Sequence, residues 1–202
     1  MIKRVGEWVA ERVESLKIVD YCLCLRGCYV VVEGPRGRAL GFSHIPREDL
    51  HDMGRDVKEP RLEEVVEMLL DLNPLNRVLG VAMANAVSQY YLPNVTPSNE
   101  IPIGGEPICF IGNMYPLAER FRQEGKEVWV FERSKELRLK SYSDIEEELL
   151  LPKCKTLIIT GMTLLNFTID RILEKSQGVN ILIGPTAGIH PEPLKGTKIH
   201  YL

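Results

Sequence analysis

The feature that most constrains the fold is a regular alternation of apolar runs and helical patterns after residue 106. Short β-forming runs occupy 108–111, 128–131, 157–160 and 179–183. Between them the sequence predicts helices over 116–124, 143–151 and 163–176. A capping-box pattern opens the second helix at Ser143. Strands that alternate with helices predict an α/β fold with a doubly wound parallel sheet, and 198–201 is a candidate last strand.

The first ninety residues carry a different pattern. Apolar residues at helical spacing predict a helix over 2–16, and glycine turns divide the β-forming run 19–42 into an antiparallel meander of three strands. A helix is predicted over 61–72, and a second begins at Asn73-Pro74, which fits an N-cap followed by proline. The small residues of 80–86 (GVAMANA) let another backbone approach, so the second helix is predicted to be central. This half is a small α+β domain.

The two patterns are separated by a stretch without periodicity. Residues 91–106 contain three prolines and the pair Gly104-Gly105. Such composition is typical of a domain boundary. We therefore expect a first domain over 1–95, a linker over 96–104 and a second domain over 105–202.

Charge and hydropathy exclude several classes of protein. The net charge of −3 offers no basic face for a phosphate backbone, so no nucleic-acid partner is expected. No stretch approaches the ~20 apolar residues of a membrane span, and no secretory signal is visible, so we expect a cytoplasmic protein. The five cysteines are then expected to be free thiols. The spacing of Cys22, Cys24 and Cys28 does not match a zinc finger, and core packing is favoured for them.

Three strand ends suggest a ligand site. In open α/β sheets, ligands bind beyond the carboxyl ends of the strands. Glycine-containing turns at these ends leave backbone N–H groups and small polar side chains, which suit an anionic or polar ligand. The residues concerned are Gly112, Asn113, Gly161, Thr163, Gly184, Pro185 and Thr186. The alternative is that the glycines only make tight turns.

Glu132 stands where nucleotide-binding folds place a carboxylate on a ribose hydroxyl. It ends the second strand, twenty positions after Gly112. The turn at Gly112 has one glycine where the dinucleotide fingerprint needs three, so NAD binding is disfavoured. Two interpretations of Glu132 remain: it could bind an adenosine or S-adenosylmethionine ligand, or it could be a solvated residue at the end of a strand.

Asn166, His190 and Asn85 can each be interpreted as functional or as structural residues. Asn166 lies three positions after Thr163, so both would share one face of a helix start, where Thr163 could instead be the N-cap. His190, in a loop with two prolines, could bind a metal or move a proton, or be merely exposed. Asn85 could hold a loop in place or face a cleft. A weaker group of metal ligands lies on the loop 43–60: His44, Asp49, His51 and Asp52.

Four stretches together resemble a known family, the one described as putative heavy-metal chelation. They are 80–86 (GVAMANA), 131–133 (FER), 159–166 (ITGMTLLN) and 183–191 (IGPTAGIHP). The resemblance implies an enolase N-terminal-like first domain and a Rossmann-like second domain. This sequence departs from the family pattern soon after the candidate last strand, so we expect the second domain to be short at its C-terminal end. The resemblance also implies a site in the cleft between the two domains, with Asn85 in the cleft and His190 as a site residue.

The leading interpretation is a protein that binds a divalent or heavy metal ion, or a metal-bearing or anionic small ligand, in that cleft. His190 and Glu132 are the expected metal ligands, while Thr163 and Asn166 would complete or orient the site. One alternative is a transferase that uses S-adenosylmethionine or a nucleotide. Another is a non-catalytic assembly subunit. Whether the site is catalytic, and whether the chain forms a homodimer, are left open.

Overall fold

The computed structural model describes residues 1–46, 56–92, 98 and 100–202. The chain divides into two compact units, each held together by contacts among its own residues. The first unit comprises Met1–Val95, Leu164–Phe167 and Gly184–Lys195, and the second unit comprises Thr96–Thr163, Thr168–Ile183 and Gly196–Leu202. Two short segments from the second half of the chain thus belong to the first unit. Asp49, His51 and Asp52 lie outside the described residues.

The first unit is a three-stranded antiparallel sheet packed with helices. Its elements are α1 (Ile2–Ala10), β1 (Lys17–Leu23), β2 (Gly27–Gly34), β3 (Gly37–His44), a 3₁₀ turn (Leu62–Glu64), α2 (Val65–Leu69) and α3 (Pro74–Tyr91). The strands pair in the order β1, β2, β3, so the predicted meander is confirmed. Helix α1 is shorter than predicted, and the predicted helix over 61–72 is only a turn followed by five residues of helix.

Helix α3 is the buried centre of this unit. Asn73 caps it by accepting the N–H of Leu75 at 3.0 Å, with Pro74 in the first turn, as predicted. A Cβ on Gly41 of β3 would collide with the backbone of Ala82 and Ala86, so strand and helix touch main chain to main chain. Since only glycine permits this approach, small residues on both elements determine where α3 lies.

The second unit contains a four-stranded parallel sheet. Its elements are β4 (Ile108–Ile111), α4 (Tyr115–Gln123), β5 (Val128–Phe131), α5 (Lys135–Arg138), α6 (Asp144–Leu150), a 3₁₀ turn (Leu151–Lys153), β6 (Thr156–Thr160), α7 (Met162–Leu165), α8 (Ile169–Lys175) and β7 (Val179–Ile183). The strand order β5, β4, β6, β7 confirms the predicted parallel sheet. This order reverses direction between β4 and β6, which makes that gap the topological switch point. The capping box of Ser143 and Glu146 is present.

Two predictions for this half need correction. The helix expected over 163–176 is broken into α7 and α8, because Phe167 adopts a left-handed φ of 59°. Thr163 is therefore inside α7 rather than its N-cap. The predicted last strand over 198–201 is reduced to a single bridge between Tyr201 and Ile181.

The expectation of free thiols is wrong for four cysteines. Disulfides join Cys22 to Cys24 and Cys109 to Cys154, while the buried Cys28 is free. The parallel pairing of β4 with β6 places residues distant in sequence side by side, which spacing alone does not reveal. No helix of the described residues has the length and hydropathy needed to cross a bilayer.

Candidate ligand site

The carboxyl ends of β4, β5 and β6 meet at one edge of the parallel sheet. Register pairs Ile111 with both Phe131 and Ile159, so the residues that follow each strand lie side by side. These include four of the predicted site residues, namely Gly112, Asn113, Glu132 and Gly161. Two of the three predicted turns, at Gly112 and Gly161, thus follow neighbouring strands of the second unit, while the third, at Gly184, belongs to the first unit.

At the switch point, β4 and β6 end in close contact. Gly112 has a φ of 94°, and a Cβ there would lie 2.8 Å from Cγ2 of Thr160. Its N–H donates to the carbonyl of Phe131 at 2.8 Å, and the N–H of Gly161 donates to Ile183 at 3.1 Å. Both amides are thus occupied by the sheet. These two turns do not offer the unpaired N–H groups that the sequence predicted.

Glu132 organises the turn after β4. One carboxylate oxygen accepts the N–H of Asn113 at 2.7 Å, and the other accepts the N–H of Ser134 at 2.8 Å. The side-chain amide of Asn113 then donates to Leu137 at 2.7 Å. Each oxygen therefore has one backbone partner, and the ribose-binding role of Glu132 stays a prediction. The observed role is to tie the β4 and β5 turns together.

Thr163 lies within α7, while Asn166 directly follows the last residue of that helix. The Thr163 hydroxyl donates to the carbonyl of Thr160 at 2.7 Å and is buried. Asn166 belongs to the short segment 164–167 of the first unit and is partly buried. The break between α7 and α8 removes the single helix face that the sequence predicted for these two residues.

A cavity of about 630 Å³ opens beside Asn113. Helix α4 forms one wall with Tyr115, Ala118, Glu119 and Arg122, while Val130, Leu139, Lys140 and Ser141 complete the lining. Cavities of roughly 300–1,000 Å³ are the usual size for small-molecule sites. Two cations and one carboxylate border it, so its lining is net positive. Apart from Asn113, sequence reasoning missed these residues, because the solvated face of a helix carries no distinguishing pattern.

In the first unit, the segment 184–195 is held by side chains of α3. Asn85 donates its amide N–H groups to the carbonyls of Phe42 at 2.7 Å and Thr186 at 3.1 Å. Gln89, one turn later, donates to Gly188 at 2.9 Å. Of the two readings left open for Asn85, holding a loop is therefore the observed one. Pro185 and Thr186 lie in a 3₁₀ turn that follows Gly184.

Thr186 also joins this segment to the end of β3. Its hydroxyl oxygen accepts the backbone N–H of His44 at 3.1 Å and lies 2.9 Å from Nδ1 of the same residue. Partial burial lowers the pKa of His44, so its imidazole is neutral at pH 7. The oxygen of Asn85, only 1% exposed as a residue, has no partner among the described residues.

His190 packs against α1. Its ring stacks on Trp8 with centroids 4.5 Å apart, and its Nδ1 accepts the N–H of Glu192 at 3.1 Å. Trp8 in turn donates to the Glu192 carboxylate at 2.8 Å, and the Arg12 guanidinium lies over the Trp8 ring at 4.2 Å. Burial lowers the pKa of His190. Trp8, Arg12 and Glu192 were not singled out from sequence, since an isolated tryptophan on a helix is typical of core packing.

The side chains proposed as metal ligands, His190 and Glu132, each have backbone hydrogen-bond partners. A neutral imidazole has one lone pair, and in His190 it accepts the Glu192 N–H, so Nε2 carries the proton and is a donor. Among residues 1–46, 56–92, 98 and 100–202, no group of three or more His, Cys, Asp or Glu side chains could hold a metal. The metal roles of His190 and Glu132 stay predictions.

Comparison with known proteins covers nearly the whole chain. Two family models, both described as putative heavy-metal chelation, match residues 7–88 and 101–202. An uncharacterized protein of Methanocaldococcus jannaschii is 34% identical over 99% of this chain and 82% of its own length.

Solved structures have the same fold. A protein of unknown function from Pyrococcus horikoshii, from the family that matches 101–202, superposes with a TM-score of 0.88 at 36% identity, covering 98% of this chain and 84% of that one. A Desulfitobacterium hafniense protein of that family, 16% identical over 97% of this chain and 82% of that one, has a TM-score of 0.69 and supports the fold alone. The chain belongs to the family described as putative heavy-metal chelation.

Proposed function

We propose that the chain binds a small oxyanion that chelates a heavy metal, and that the metal enters as a complex with this ligand. The cavity beside Asn113 is the observation that carries the proposal. It has the volume of a small-molecule site and a net positive lining. The family description supplies the metal, and in this proposal the organic ligand supplies donor atoms to it.

Arg122 and Lys140 supply the attraction for an anionic ligand. Arg122 lies 3.6 Å from the Glu119 carboxylate, so its charge is only partly compensated. Charge-assisted hydrogen bonds from such cations to carboxylates are stronger than neutral ones. Tyr115 and Leu139, 55% and 79% exposed, give the cavity apolar surface that a carbon skeleton can cover.

Glu132 acts here as a positioning residue. By accepting the N–H of Asn113, it fixes the turn from which the Asn113 side chain borders the cavity. The direct binding roles of the other predicted residues stay predictions, as do the cleft location and the homodimer. They are Asn85, Gly112, Gly161, Thr163, Asn166, Gly184, Pro185 and Thr186, with His190 and Glu132 for the metal.

The test is calorimetric titration with citrate, iron(III) citrate and inorganic phosphate. We expect the iron complex to bind, and Arg122→Gln to weaken it roughly tenfold or more, because a charge-assisted hydrogen bond is lost. Arg120→Gln is the matched control. Arg120 lies on the same helix but pairs with Glu124 at 3.0 Å and does not border the cavity.

Two outcomes would overturn the proposal. Binding that Arg120→Gln weakens as much as Arg122→Gln would place the anion elsewhere. Failure of all three anions, together with a raised melting temperature in S-adenosylmethionine, would favour the transferase alternative, since a ligand at 100 times its dissociation constant adds roughly 2.7 kcal/mol of stability.

A further inference from the structure

We infer that Cys22 and Cys24, once reduced, form a dithiolate site for a soft metal ion on the exposed end of β1. The site lies in the first unit and shares no residue with the cavity of the proposed function. The ion it would take is a thiophilic one, of the class of Cd²⁺, Hg²⁺ or Cu⁺, because soft thiolates select soft metals.

The backbone holds the side chains of Cys22 and Cys24 close together. Cys22 lies on β1 and Cys24 directly follows the last residue of that strand, and the Cα atoms of the two cysteines are 5.5 Å apart. The sulfurs are close enough to be bonded as a disulfide. Cys24 is exposed and Cys22 is partly exposed, so both are within reach of a reductant and a metal ion.

The hairpin holds this geometry when the disulfide is opened. Cys24 donates its N–H to Gly27 at 2.9 Å across a two-residue loop, and Cys22 stands opposite Tyr29 in the register of β1 and β2. The Tyr29 hydroxyl donates to the Asp20 carboxylate at 3.0 Å, which adds a second tie between the strands. Because the main chain stays paired, the two thiols remain neighbours after reduction.

Cys28 cannot serve as a third ligand. It stands opposite Leu23 rather than Cys22, so its side chain projects to the other face of the sheet, where it is fully buried. Burial raises the pKa of its thiol to about 12, which keeps it protonated. The site therefore offers two protein sulfurs, and an exogenous ligand such as a small thiol must complete the coordination.

The chemistry balances in two steps. Two equivalents of a small thiol, RSH, transfer two electrons to the Cys22–Cys24 disulfide and leave as RS–SR, and the protein gains two S–H groups. A divalent ion then binds both sulfurs and releases the two protons. Metal binding is thus available only to the reduced protein.

The experiment is anaerobic titration of the full chain with Cd²⁺, following thiolate-to-metal absorbance and the mass of the native protein. After reduction with excess dithiothreitol and its removal, we expect one tightly bound ion per chain, and none in the oxidised protein. The double variant Cys22→Ser/Cys24→Ser should lose both the absorbance and the bound mass.

The other cysteines supply the matched controls. Cys28→Ala, and Cys109→Ala with Cys154→Ala, each leave the strand-end pair intact and should keep the bound ion. If reduced wild type binds no Cd²⁺, or if the double serine variant still binds one ion per chain, the inference is overturned. Neither result bears on citrate binding, so the two proposals fail separately.

Discussion

The two units differ in which of their polar side chains the sequence singled out. In the first unit, the residues that looked functional in the sequence are engaged with nearby backbone: Asn85 with two carbonyls and His190 with an N–H. In the second unit, a cavity is bordered by charged side chains that no motif indicated, Arg122 and Lys140 among them. A polar residue in a conspicuous motif is therefore no guide to whether its atoms are free for a ligand.

The physical reason lies in the segment 184–195. It is irregular, and much of it is buried, so its carbonyls cannot all be satisfied by water or by a regular ladder. Side chains of the first unit satisfy them instead: Asn85 bonds Thr186, Gln89 bonds Gly188 and Arg4 bonds Lys195. In the second unit, the sheet satisfies the N–H groups of Gly112 and Gly161, and the Glu132 carboxylate accepts those of Asn113 and Ser134.

The largest effect is expected for Gly41→Ala, which tests whether close packing places Asn85. The new methyl group would overlap the backbone of α3 at Ala82 and Ala86, so helix and strand must separate. We expect a loss of about 3 kcal/mol in the free energy of unfolding, measured by urea denaturation. Gly6→Ala is the control, because its Cβ would meet the flexible end of Leu69 at 3.0 Å and the helix gains propensity. Equal losses would contradict the argument.

Asn85→Ala tests whether this amide holds the segment 184–195. It leaves the carbonyls of Phe42 and Thr186 without their donor, which we expect to cost about 2 kcal/mol of unfolding free energy. Gln89→Ala removes one more exposed bond from the same helix and should cost about 0.5 kcal/mol. If Asn85→Ala instead abolished ligand binding without loss of stability, Asn85 would be a ligand contact.

His190→Ala separates packing from metal binding. Loss of the stack on Trp8 should cost about 1 kcal/mol of unfolding free energy, while iron(III) citrate binding and metal content stay as in the wild type. His190→Phe keeps an aromatic ring on Trp8 and should recover part of the stability. A fall in bound metal in both variants, measured by native mass spectrometry, would restore the metal role predicted from the sequence.

The smallest effect is a pH dependence carried by two histidines. Burial lowers the pKa of His44 and His190 in the folded state, so the unfolded chain takes up protons first as the pH falls through the ordinary histidine range. Stability should therefore decrease from pH 7.5 to pH 5.5, an effect read as a lower melting temperature. The double variant His44→Gln/His190→Gln should flatten this dependence, and an unchanged slope would exclude these two groups as its source.

Much of the fold was predictable because the patterns involved are local. Asn73-Pro74 predicted a helix start, since both the cap and the proline act within one turn. Glycine turns predicted the meander, and short apolar runs predicted the parallel strands. The break at Phe167 was missed because a left-handed residue other than glycine leaves no mark in the sequence.

The candidate site was predictable only in part. Strand ends placed Gly112, Asn113 and Glu132 at one edge, because parallel strands end together. The pairing of Cys109 with Cys154 depends on the register of β4 and β6, and the cavity depends on how α4 faces the loop 139–141. Neither relation exists until the sheet has formed.

The sequence by itself determined the order of strands and helices along the chain and the small-residue surface of α3 that another backbone approaches, because these follow from local periodicity and from the size of small residues. The tertiary structure alone decided which polar atoms are engaged. In the folded chain, Asn85 and His190 make hydrogen bonds with backbone groups. Arg122 and Lys140 border the cavity, and four cysteines form two disulfides. Hydrogen-bond partners far apart in the chain are chosen by the packing, and residue type fixes only what each atom can donate or accept.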